Sequence, residues 1–145
     1  MSIPKNRRKQ SKIEFENIYF KVADDIDNFL ENSFGAKKEV LMENRRFVES
    51  KTFSLEKLSD ILIYHIKIAN SIYPQCLEEL HARRVAMDNA IGTCYTILNL
   101  YQRILHKLKI PDDKHTGEIQ NVALLINTLK SWRKSDNRFK KLLEK

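Results

Sequence analysis

The chain has 145 residues, enough for one domain with a continuous core, and only three glycines and three prolines. A many-stranded β fold needs a turn about every 8–12 residues, so this scarcity excludes one and selects an all-α architecture. The formal net charge of +7 is gathered at the two ends. Residues 1–12 hold Lys5, Arg7, Arg8, Lys9 and Lys12 and no acid, and residues 130–145 hold seven cations against Asp136 and Glu144. The middle of the chain is mildly acidic. Basic arms of this kind either contact a polyanion or keep the termini soluble.

Residues 1–11 read as a basic N-terminal arm, residues 12–134 as the bundle domain, and residues 135–145 as a basic C-terminal tail. The first predicted helix covers 12–34, with Ser11 and Glu14 in capping-box spacing and Gly35 as a left-handed stop. Its apolar stripe is Phe15, Ile18, Tyr19, Val22, Ile26 and Phe29, and Asp24, Asp25, Asp27 and Glu31 read as a solvated face. A shorter helix is expected over 36–50, where "ENRRF" sets Arg45 and Arg46 beside Phe47. Ser54 reads as the N-cap of a third helix to 72, apolar on most of its sides and so suited to a bundle centre or a subunit interface.

Pro74 fits the first turn of a long helix reaching 109, where Pro111 stops it. Leu77, Leu80, Arg84, Met87, Ile91, Cys94, Leu98, Tyr101, Leu105 and Leu108 repeat there every 3.5 residues, the period of left-handed bundle packing. Arg84 is the anomalous member. Either Asp88 one turn on neutralises it, or the seam opens and Arg83 and Arg84 face a subunit or a phosphate. Gly92 is expected to permit a close helix approach. Cys76 and Cys94 lie about 27 Å apart along this helix, beyond disulfide reach, and read as buried thiols of a reducing cytoplasm. The last helix spans 116–134 with Leu125, Ile126, Leu129 and Trp132 on one face, followed by the turn residues "SDN" and a short segment bearing Phe139, Leu142 and Leu143.

No reaction is signalled. The four histidines and two cysteines make no chelating pair, the glycines stand alone, and no nucleophile elbow is present. Arg103 and His106 are too close for the Arg–His motif of helical-bundle ribonucleases. An enzyme, a metal and a cofactor are therefore not expected. No apolar run reaches the length of about 18 residues that a spanning helix needs, so no membrane role is expected. The indole of Trp132 is expected to point inward while Lys130, Arg133 and Lys134 point out.

The segments "FSLEKLSDILIYHIKIANSIY", "LEELHARRVAMDNAIGTCYTILNLYQRIL" and "LLINTLKSWRKS" follow one another over residues 45–135 in a familiar order. They combine a Leu-rich helix after "FSLEK", an Arg84-x-x-x-Asp88 helix, and a last helix with Leu124, Leu125, Leu129 and Trp132. In this the chain resembles the accessory variability determinant (Avd) proteins of diversity-generating retroelements and the related four-helix-bundle proteins encoded within bacterial rRNA intervening sequences. The resemblance implies an all-α, up-down four-helix bundle, here with an additional N-terminal helical segment, assembled as a basic homo-oligomer, a pentamer. It implies a non-catalytic accessory role: binding a reverse transcriptase and its template RNA or cDNA to support mutagenic reverse transcription. Expected contacts to nucleic acid or polymerase are Arg7, Arg8 and Lys9; Arg83 and Arg84; and Lys130, Arg133, Lys134, Arg138, Lys140 and Lys141. Trp132, Asp88 and Gly92 are expected to be structural. The competing expectation is a protein-interaction adaptor, antitoxin-like, whose basic tails serve solubility alone.

Overall fold

The 3.6-residue spacing of Tyr19, Val22, Ile26 and Phe29 buries one stripe of α1, which spans Lys5–Glu31. The computed structural model describes residues 5–144, with side chains from residue 14 onward. The helix begins ahead of the expected start at 12 and runs through Ser11 and Glu14, so this pair caps nothing. The side chains of Arg7, Arg8 and Lys9 lie outside the described residues.

After α1 the chain reverses through a 3₁₀ turn, Ser33–Gly35, in which Ser33, Phe34 and Gly35 all have positive φ (50°, 62° and 70°). Gly35 thus occupies the left-handed position the sequence assigned to it. Phe34 has a Cβ and accepts strain there. Its ring is 1% exposed and packs 5.0 Å from Phe29, and that burial holds the turn closed.

A short α2 (Lys38–Glu43) and a long α3 (Arg45–Ser71) follow. The break expected around Ser54 falls at Asn44 instead, where the side-chain amide donates to the Val40 carbonyl at 2.8 Å. Residues 50–54 contain neither Gly nor Pro. The Ser54 hydroxyl donates to the Ser50 carbonyl in mid-helix rather than capping a start. α4 spans Leu77–Lys107, three residues beyond Pro74, with extended Cys76 before it and the Glu79 carboxylate reaching back to the Gln75 N–H at 3.2 Å. Cys76 is exposed, which corrects its reading as a buried thiol. Cys94 is buried, and desolvation pushes its thiol up to about 12. At the C-terminus of α4, Ile110 N–H bonds to Leu105 O and Lys109 N–H to His106 O. This is a Schellman closure with Lys109 at φ 55° where glycine is usual. A 3₁₀ turn, Asp112–His115, leads into α5 (Thr116–Ser135), and α6 spans Asn137–Leu143.

The four long helices form an up-down bundle in which each packs on its neighbours in the cyclic order α1, α3, α4, α5. α1 is therefore one of the four walls, and α2 lies on the start of α3. Phe15 near the start of α1 meets Trp132 near the end of α5 at 5.2 Å, marking one end of the bundle. At the other end Phe29 stacks edge-on against both Tyr101 and His115 at 4.9 Å. The acidic face of α1 is not wholly solvated. Asp25 is 7% exposed, accepts from Asn121 at 2.7 Å and pairs with Lys21 at 3.1 Å. Among the described residues no helix is long and apolar enough to cross a membrane.

Candidate nucleic-acid interface

Those of the cations nominated by the sequence whose side chains are described converge on the end of the bundle where α4 starts and α5 finishes, but they divide into two layers. The inner layer is a single guanidinium. Arg83 is 8% exposed and donates through Nε to Asp136 Oδ2 at 2.6 Å and through Nη2 to Asp136 Oδ1 at 3.2 Å. Its Nη1 donates to the Ala69 and Ile72 carbonyls at 3.3 and 2.8 Å. Ala69 is in the last turn of α3 and Ile72 is its C-cap, where carbonyls run short of helical partners. Trp132 and Phe139 cover the guanidinium, with ring centroids 4.8 and 5.7 Å from Cζ. Asp136, read from sequence as a turn residue, is 0% exposed and sits at the junction of α5 and α6. One fork thus ties together α3, α4 and the α5–α6 junction.

This overturns the expected pairing. The buried guanidinium belongs to Arg83, so it is not available to a polyanion. Arg84, one position on, is rotated by about 100° and half-buried: its Nε is enclosed without a partner among the described residues, and its Nη2 donates to Asn137 Oδ1 at 2.6 Å. Asp88 does not neutralise Arg84; it accepts both Nε and Nη2 of Arg133, at 2.6 and 3.3 Å. Gly92 admits no close neighbour: it is exposed, and a Cβ built there would meet nothing within 4 Å.

The outer layer is a ladder from α4 to α5 and the first residue of α6. Its rungs are Arg84–Asn137, Asp88–Arg133 and Tyr95–Lys130, the last joining Lys130 Nζ to the tyrosine hydroxyl at 2.8 Å. From Arg84 to Tyr95 the rungs climb roughly 16 Å, at 1.5 Å per residue. Arg133 and Asp88 keep 42% and 52% of their side chains exposed, so their pair contributes under about 1 kcal/mol and remains open to exchange for a phosphate. Beyond the ladder, α6 buries Phe139 and thereby sets Arg138 and Lys140 on either side and Lys141 opposite. Arg138 lies 4.9 Å over the Phe139 ring, and Lys140 approaches Glu144 at 4.0 Å. Lys134 and Lys141 are exposed and have no ion-pair partner among the described residues. Residues 137–143, expected as a tail, are thus a docked helix that carries three of the nominated cations. Trp132 is half-buried beneath them, as its place on the apolar face of α5 implies.

Sequence reasoning passed over two further features. Asp136 gave no signal, because its partner lies 53 residues away. A second group of cations (Arg46, Lys51, Lys57, Arg103 and Lys107) lines a hollow between α3 and α4, of which the sequence had singled out only Arg46, beside Phe47. Its helical spacing, Phe47–Lys51–Ser54–Leu58–Ile61, was visible but merged with the broad apolar stripe of α3. Among the described residues no three His, Cys, Asp or Glu side chains come within reach of a shared metal ion. No protein-family model, curated protein or solved structure matches the chain.

Proposed function

We propose that this chain is a non-catalytic nucleic-acid-binding accessory protein whose contact surface is the α5–α6 end of the bundle. The observation that supports the reading is the buried Arg83–Asp136 fork. It fixes α6 on the bundle, and with it Arg138, Lys140 and Lys141 beside the Arg84, Lys130 and Arg133 ladder. Cations on a rigid support lose less conformational freedom on binding phosphates than cations on a free tail. The cations are spread along one face, so the expected mode is contact with the phosphate backbone, strong at low salt. In the retroelement role that the Avd resemblance implies, the nucleic acid is the template RNA or its cDNA, the protein partner is a reverse transcriptase that carries the chemistry, and a homopentamer would multiply the surface.

The test is binding of the full chain to single-stranded RNA from about 50 to 200 mM salt, beside a variant with Lys134, Arg138, Lys140 and Lys141 changed to Gln. All four side chains are exposed, so the fold is expected to survive. The expected result is a log–log salt slope that flattens by up to about 3, at roughly 0.7 per lost phosphate contact. Unchanged binding would move the interface elsewhere. No binding by the parent chain would leave a helical adaptor whose basic residues serve solubility.

A further inference from the structure

We propose that the groove between α3 and α4 is a docking site for an acidic amphipathic helix of a protein partner, separate from the α5–α6 surface. Two hollows of about 760 and 540 Å³ share Lys51 and Arg103 and so lie end to end, an open channel along one seam. On α3 it follows Phe47, Lys51, Ser54, Leu58 and Ile61, and on α4 Thr96, Leu100, Arg103 and Lys107. Each set recurs every three or four residues, so each is a single helix face, and the two faces look into the same channel. From Phe47 to Ile61 the channel runs roughly 21 Å, the length of about four helical turns.

Its chemistry selects the occupant. The floor at the middle of the chain's long helices is aliphatic and half-buried: Leu58, Ile61 and Leu100. The walls carry Arg46, Lys51, Lys57, Arg103 and Lys107 against one acid, Glu43. Glu49, Glu56 and Asp60 of the same stretch of α3 are exposed but do not line the channel, so this side of α3 has been left almost purely cationic. No residue of α1, α5 or α6 lines it either. A helix with an apolar stripe flanked by carboxylates matches both layers, seating aliphatic side chains on the floor and carboxylates at the walls. Nucleic acid matches one layer only. Its phosphates would suit the walls, but the aliphatic floor offers no ring on which bases can stack, the rings of Phe47 and His106 standing at one end only.

The probe is a helical peptide of about 16 residues, with leucines every three and four positions and glutamates on the flanking faces. The full chain is titrated with it by fluorescence anisotropy, and the contacts are mapped by backbone amide NMR. A peptide with the same residues scrambled, a peptide with Lys in place of Glu, and oligouridylate are the comparisons. The expected result is binding of the acidic amphipathic peptide alone among the peptides, with amide shifts confined to residues 46–61 of α3 and 96–107 of α4. Lys51→Glu with Arg103→Glu is expected to cost the acidic peptide about tenfold or more in affinity and to let the lysine peptide bind. That reversal separates a docking site from a fold that has simply been damaged. Equal binding of the scrambled peptide, shifts centred on α5–α6, or oligouridylate mapping to the channel in place of the peptide would each overturn the proposal. So would a dimer in sedimentation that the double substitution dissolves, which would make the occupant a second copy of this chain.

Discussion

The two ends of the bundle are closed in opposite ways. Where α4 begins and α5 finishes, the closure is ionic: Arg83 and Asp136 are both buried, and the guanidinium is covered by Trp132 and Phe139. At the other end it is mainly aromatic and aliphatic: Phe29, Phe34, Tyr101 and Leu108 are buried, and His115 lies edge-on to Phe29 with Nδ1 2.6 Å from the partly exposed Glu118 carboxylate. The backbone there accepts positive φ at Ser33, Phe34 and Lys109 to bring those side chains in. An apolar closure tolerates graded loss, because each methylene lost costs a share of the burial energy. An ionic closure does not: removing either partner strands the other charge in a dry site. The cations at that end of the bundle are therefore not one population. Arg83 holds the fold, while the exposed cations outside it are left for contact.

This contrast is most directly broken at its ionic end. Asp136→Ala is expected to cost about 3–5 kcal/mol in urea unfolding, because Arg83 is left buried and unpaired. Replacing both, Arg83→Met with Asp136→Leu, is expected to recover most of that loss. A double variant no better than the single would show that the charge itself, rather than its being unmatched, stabilises this end. At the aromatic end, Phe34→Ala is expected to cost about 3 kcal/mol through lost burial. Phe34→Gly is expected to be about 1 kcal/mol less damaging despite removing one more carbon, since glycine carries no penalty at φ 62°. Equal losses would mean that the turn is not strained in solution.

Lys109→Gly tests the same strain with the sign reversed. The lysine is exposed and holds the left-handed position of a Schellman closure, so glycine is expected to stabilise by about 1 kcal/mol, seen as a rise in Tm of about 3 °C. Smallest of all is Asp88→Ala. The pair with Arg133 is half exposed, so the expected loss in thermal unfolding is under about 1 kcal/mol. The same change frees Arg133, so RNA affinity at low salt is expected to rise modestly in the titration described above.

How much of this was legible follows the range of the interactions. α1, α4 and α5 could be read because their apolar spacing and the residues that stop them, Gly35 and Pro111, are local. The fusion of two expected helices into α3 was missed because Ser54 resembles a cap, and a hydroxyl can equally bond back to the carbonyl four residues earlier. The Arg83–Arg84 assignment failed by one position. The 3.5-residue seam runs through Arg84, but near its start α4 faces α3 and the α5–α6 junction together, and the partner that decides the matter lies 53 residues on. Asp136 was read by its neighbours Ser135 and Asn137, which favour turns, and no local pattern marks a carboxylate as buried. The α3–α4 channel lost its signal within a helix that is apolar on most sides.

The Arg83 fork also bears on how the protein comes into being. Its guanidinium is laid down with the first turns of α4, its carbonyl partners with α3, and its carboxylate only after all of α5. A nascent chain released short of Asp136 would lack both the carboxylate and the Phe139 ring that close over Arg83, leaving this end of the bundle open around an unpaired guanidinium. Such fragments are expected to unfold readily and fall to proteases. One ion pair is thereby expected to make the stability of this end depend on the chain having passed residue 136.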